Sequence, residues 1–258
     1  MMVGPMSASA ERRMAWILTP STDSSVGMKL LPTVLSVIAG STDAISFLGL
    51  GGLFTAHVTG NVVILAAHIV SGGEAPIAPI LSVPAFIAAL GLTRLLAGGL
   101  KRIRVASLQP LLLLQFLLLA AFLAINAAAG PRIDPSAANA IVGGMFGVSA
   151  MAVQNALVQI SLQGAPSTAV MTTNITRFMM DLGEVLLEGD PDSVAKARGR
   201  ASRTWPAVIG FAVGCGLGAA CESAIGLLSL ALPTGLALLA FAMTLGTRST
   251  SGGTDGRR

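Results

Sequence analysis

The sequence predicts an all-α, polytopic membrane helical bundle built from two four-element repeats. Three observations carry that expectation. The chain is 53% hydrophobic and only 11% charged, with mean hydropathy +0.78, whereas soluble domains carry about 25% charged residues. Its apolar residues gather into segments close to the roughly 20 residues a helix needs to cross a hydrocarbon core. Finally, a polar motif inside one apolar stretch, Thr55-Ala56-His57-Val58-Thr59-Gly60-Asn61, returns at a fixed separation as Thr168-Ala169-Val170-Met171-Thr172-Thr173-Asn174. Upstream, Asp43-Ala44-Ile45 with Leu48, Leu50 and Gly52 is matched by Asn155-Ala156-Leu157 with Ile160, Leu162 and Gly164, one residue out of register with the motif. Such doubling belongs to duplicated membrane proteins with a site between their halves.

The elements follow in order. The first, 30–48, is apolar and stops at the glycines of 49–52. The second, 53–70, carries the first motif and stops at the Ser/Gly/Pro stretch 71–76. The third, 77–96, runs into a basic stretch; the fourth, 108–128, is Leu-rich and closes at 130–135. The second half repeats the pattern with 138–162, 169–187, 205–220 and 225–245, broken at 164–166 and 189–191. This divides the chain into a membrane repeat over 28–129 and another over 130–246. Flexible tails are expected at 1–27 and 247–258, since the first lacks the continuous apolar core of a signal peptide.

Lys and Arg bear on topology, because cytoplasmic loops collect them. If all eight elements cross, Arg94, Lys101, Arg102 and Arg104 fall outside, against the rule. If the two motif elements only dip in and return, every basic loop except Arg132 falls inside, and the halves become inverted repeats of three crossings. Segment length favours eight crossings, so six crossings with two re-entrant elements and eight full crossings both stand. Either way both termini are expected in the cytoplasm of a bacterium, with the protein in its inner membrane.

The formal charge of +4 and pI near 9.8 do not imply nucleic acid, because the basic residues lie at segment ends and few aromatics are available to stack bases. Cys215 and Cys221 are six apart and share no helical face, so neither a disulfide nor a metal pair is expected. No cofactor or metal is expected either. The lipid bilayer and an unknown small solute are the expected partners. Glycines at four-residue spacing, Gly210, Gly214 and Gly218, and likewise Gly143 and Gly147, favour close helix packing, including that of a homo-oligomer.

Polar residues inside membrane segments are costly and face protein or water. His57, Asn61 and His68 form a stripe on the second element; Asn174, Arg177 and Asp181, with Glu184 a turn on, form one on the sixth. Two such stripes meeting at the repeat interface would make a polar cavity near the midplane. Asn61 and Asn174 are candidates either to coordinate a solute or to tie helices together. Thr55, Thr59, Thr168 and Thr172 bond either a solute or their own backbone. Asp43 is a candidate protonatable group or cation ligand, or else a cap; its counterpart Asn155 keeps polarity without charge. Arg177 and Asp181, four apart, are expected to pair along one helix unless Arg177 steers an anion. His57 and His68, three turns apart, cannot share a metal ion, although a proton relay is conceivable. Ser149 with His57 as base is a weak candidate for an intramembrane hydrolase, since no nucleophile elbow surrounds it.

The strings Ala39-Gly40-Ser41-Thr42-Asp43-Ala44, Thr59-Gly60-Asn61 and Gln154-Asn155-Ala156-Leu157 resemble signatures of the YoaK family of bacterial integral membrane proteins, over about 30–245. Thr173 departs from that pattern where the first copy has Gly60. The resemblance implies a multi-helix inner-membrane fold carrying a domain of unknown function. Taken together, the residues favour a small-solute secondary transporter or channel, proton-coupled through Asp43, over a membrane scaffold or an enzyme.

Overall fold

The computed structural model describes residues 26–72, 76–130, 133–187 and 190–245. Over these the chain is helical, with no strand among the described residues. The helices are α1 (Val26–Gly49), α2 (Val58–Val70), α3 (Ile77–Arg102), α4 (Leu108–Ala129), α5 (Ala138–Ser161), α6 (Met171–Leu187), α7 (Pro191–Ile225) and α8 (Ala231–Leu245); a short 3-10 helix, Gly226–Leu230, joins the last two. Five helical stretches are long and apolar enough to cross a membrane, the last being the 55-residue run Pro191–Leu245 that contains α7 and α8. The expected tails lie outside the described residues, apart from positions 26 and 27, which open α1.

The eight segments read from hydropathy correspond to the eight helices, with instructive shifts. The second and sixth elements start late: the chain is irregular before α2 and before α6, leaving helices of 13 and 17 residues. At 1.5 Å per residue these measure about 20 and about 26 Å, short of a hydrocarbon core of about 30 Å. Both irregular stretches follow a glycine in left-handed conformation at matching positions, Gly52 (φ 88°) and Gly164 (φ 82°), where a side chain would be strained. Conversely, α3 and α7 run past their apolar cores into basic stretches. In α7 this extension begins at Asp190, whose carboxylate accepts from the Ser193 hydroxyl (2.8 Å) and amide (3.0 Å) ahead of Pro191. Those bonds, the hydroxyl first, hold the Asp190 carboxyl below its usual range.

Each half leans on the other. α1 packs most extensively on α7 and also on α8, while α5 packs on α3 and on α4. α2 lies against α3 and α6 against α7, and α4 meets α8. Exchanging α1–α4 for α5–α8 leaves this set of contacts unchanged. The α1–α7 contact is backbone-close because Gly210, Gly214 and Gly218 sit against the carbonyls of Thr33, Val37 and Ser41, with no room for a Cβ. Gly143 abuts Asn126, and Gly147 abuts Phe122 and Thr55. The glycine ridges expected to serve a homo-oligomer are therefore filled within one chain.

Candidate functional site

The irregular stretch before α2 is organised by one carboxylate. Asp43, 3% exposed in α1, receives three bonds on Oδ1: from the Thr55 amide (2.8 Å), the Thr55 hydroxyl (2.9 Å) and the Ala56 amide (2.6 Å). Its Oδ2 lies 2.6 Å from His57 Nδ1. The irregular backbone ahead of α2 has amides that no helix or strand satisfies, and the Asp43 carboxylate accepts two of them. Oδ1 thus carries three of the four contacts and Oδ2 one. His57 is held by one ring nitrogen, which leaves Nε2 as its remaining polar atom.

His57 stands at the wall of a cavity of about 580 Å³ between α1, the loop before α2, the first turn of α2, and α7. The wall is mostly apolar. Phe47 and Phe54 pack with ring centroids 4.8 Å apart, and the His57 ring meets the Phe54 and Phe211 rings edge-on at 6.3 and 5.3 Å. Thr59, Gly60 and the thiol of Cys215 complete its more polar side.

A second cavity, about 530 Å³, is built from matching positions of the other half. Asn155 stands where Asp43 does, Gln159 where Phe47 does, Ser167 where Phe54 does, Val170 where His57 does, and Thr173 where Gly60 does. It is polar, and Arg177 borders it. Arg177 also borders an adjoining cleft of about 360 Å³ beside Arg200 and Arg203. The loop here caps itself: Ser167 Oγ accepts from the Val170 amide (2.9 Å) and, longer, the Ala169 amide (3.4 Å). Thr168 is held instead by Gln154, which also donates to the Leu35 carbonyl and accepts from Gln115 (2.6 Å).

The anticipated site residues are thus divided between two places rather than gathered on one cavity. Asp43, His57 and Thr59 belong to the first, Asn155 and Arg177 to the second. Asn61 and Asn174 are wholly buried and line neither cavity. Each reaches back seven residues to the irregular stretch: Asn61 donates to the Phe54 carbonyl and accepts from its amide, Asn174 donates to the Ser167 carbonyl. Asn61 also donates to Ser82 of α3. Thr172 is exposed on α6. Asp181 does not pair with Arg177; Arg200 of α7 takes both Asp181 (2.7 Å) and Glu184 (2.5 Å). Among the described residues the Arg177 guanidinium has no such partner. His68 bonds the Ile64 carbonyl of its own helix. Ser149 donates to the Met145 carbonyl and does not line the cavity of His57.

The family model described as "Protein of unknown function (DUF1275)" matches residues 31–243. The chain belongs to the DUF1275 family. All three signature strings lie inside the matched span, and so do both cavities. No curated protein and no solved structure is similar to this DUF1275 chain. Phe47, Phe54, Phe211, Cys215 and Ser167 were not anticipated as site residues. In a chain with nine Phe and no Tyr, the two phenylalanines flanking Leu48–Leu53 were the available signal.

Proposed function

We propose that this DUF1275 protein is an internally duplicated transport protein of the bacterial inner membrane, with its solute site in the cavity faced by His57. The carrying observation is that two cavities of similar size occupy matching positions of the two halves, each at the head of a short helix. Broken elements whose helix starts point at a cavity are the device by which duplicated transporters hold a solute at membrane depth. The contact set that survives exchange of the halves, and the amides of Asn61 and Asn174 reaching back seven residues, support the duplication.

The short lengths of α2 and α6, set against an α8 that its 3-10 lead-in from Gly226 lengthens to a continuous helical run ending at Leu245, favour six crossings with two re-entrant elements. On that reading Arg94, Lys101, Arg102 and Arg104 share the cytoplasmic side with both termini, in keeping with the YoaK-like signatures and the charge bias. We read the protein as a transporter rather than an enzyme: Ser149, the candidate nucleophile, bonds the Met145 carbonyl and lies outside the cavity of His57.

Cys215 provides the test. In a Cys221→Ser background, a charged, membrane-impermeant maleimide should alkylate Cys215 in sealed vesicles of one orientation, and reconstituted vesicles should show solute flux that Asp43→Asn abolishes. If only lipid-soluble maleimides reach Cys215, the cavity opens to acyl chains and the transport reading is overturned.

A further inference from the structure

We propose that the first cavity takes a lipophilic organic cation, an aryl- or alkyl-substituted amine, whose N–H⁺ meets His57 Nε2 and whose place is taken by a proton on that same nitrogen. The inference rests on the transport reading for its setting, but on the cavity's own chemistry for its content.

Three features point to this ligand. The wall is apolar and presents the rings of Phe47, Phe54 and Phe211, and aromatic faces attract cations, desolvated ammonium ions most strongly. The acid at the wall is Asp43, a buried carboxylate whose Oδ1 accepts from two amides and a hydroxyl. The directional group held in place is the imidazole, fixed because Nδ1 lies 2.6 Å from Asp43 Oδ2, which leaves Nε2 free. When the imidazole is neutral, Nδ1–H donates to Asp43 and Nε2 accepts, and the dyad carries one net negative charge. A protonated amine then completes both the charge and the hydrogen bond. A proton on Nε2 does both as well, and removes the acceptor. One cation and one proton therefore exclude each other, with charge conserved one for one.

The other groups near His57 do not disturb this. The titratable groups lining the cavity are Asp43 of α1 and Cys215 of α7; α2 contributes Thr59 and Gly60, and α3 contributes none. Glu222, further along α7, approaches Gly49 at the far end of α1 and adds negative charge of the favourable sign. The matching cavity of the other half lacks every element of this device: Val170 replaces His57, Asn155 replaces Asp43, Gln159 and Ser167 replace the rings, and Arg177 is present.

The test uses the full chain in detergent, carrying Cys221→Ser, with binding read by calorimetry and by protection of Cys215 from N-ethylmaleimide. The probes are the phenethylammonium ion, benzyl alcohol and benzoate, between about pH 9 and about pH 6, a range spanning ordinary histidine titration. The amine should bind at high pH, protect Cys215, and weaken up to roughly tenfold per unit once the imidazole protonates. Benzyl alcohol and benzoate should bind at least about tenfold more weakly, the difference one charge contact makes when worth about 1.4 kcal/mol. His57→Gln, which keeps a donor for Asp43, should weaken the amine and flatten its pH profile. Equal binding of the alcohol, preference for benzoate, a flat profile in the wild-type chain, or an unchanged profile in His57→Gln each overturns the proposal. Amine binding without flux in vesicles overturns the transport reading alone; flux of another solute with no amine binding overturns this inference alone.

Discussion

The two irregular stretches that precede α2 and α6 solve one problem by different means. Each must satisfy the amides of a non-helical stretch that leads into a short helix inside an apolar bundle. Before α2 the acceptor is Asp43, brought from twelve and thirteen residues away on α1. Before α6 it is Ser167, three residues from the amide it caps most closely. The first solution ties the loop to a neighbouring helix and leaves a charge at the cavity wall. The second leaves the loop self-contained and its cavity free to become polar. A common backbone plan thus carries two chemistries, and the divergence lies at the acceptor.

That contrast can be broken most forcefully at Asp43. Asp43→Ala strands two amides, a hydroxyl and His57, and should cost about 3 kcal/mol or more, since each buried donor left without its acceptor costs about 1–3 kcal/mol, read by detergent-denaturant unfolding. Val at Gly214 tests the α1–α7 seam on which Asp43 depends. It should cost about 1–3 kcal/mol through overpacking, while Gly216→Ala, which meets open space, should cost little. Ser167→Ala should cost about 1 kcal/mol, the usual worth of a hydrogen bond, since it leaves the Val170 amide without its acceptor. Smallest is Asn155→Ala, within about 1 kcal/mol, because Asn155 bonds only the Met151 carbonyl of its own helix. If Asn155→Ala proved as damaging as Asp43→Ala, the two halves would not differ in the way described.

Hydropathy and punctuation made the helices legible, because long apolar runs between Gly and Pro leave few alternatives. What they concealed was the irregular backbone at Leu53–His57, where Leu53, Phe54 and Ala56 read as ordinary helix. A helical reading put His57 and Asn61 on one stripe; in the structure His57 turns to Asp43, fourteen residues back, and Asn61 turns to Phe54. The pairing of Asp181 was hidden for a related reason. Four-residue spacing nominates Arg177, but Arg200 on the next helix reaches both acids and satisfies two charges with one fork. Periodicity speaks to neighbours along an element and is silent about neighbours across one.

The exchange of partners, α1 on α7 and α5 on α3, has a consequence for ancestry. A lone half would lack the wall its opening helix rests on, so under the duplication proposed above a single-copy chain would need a twin to fold against.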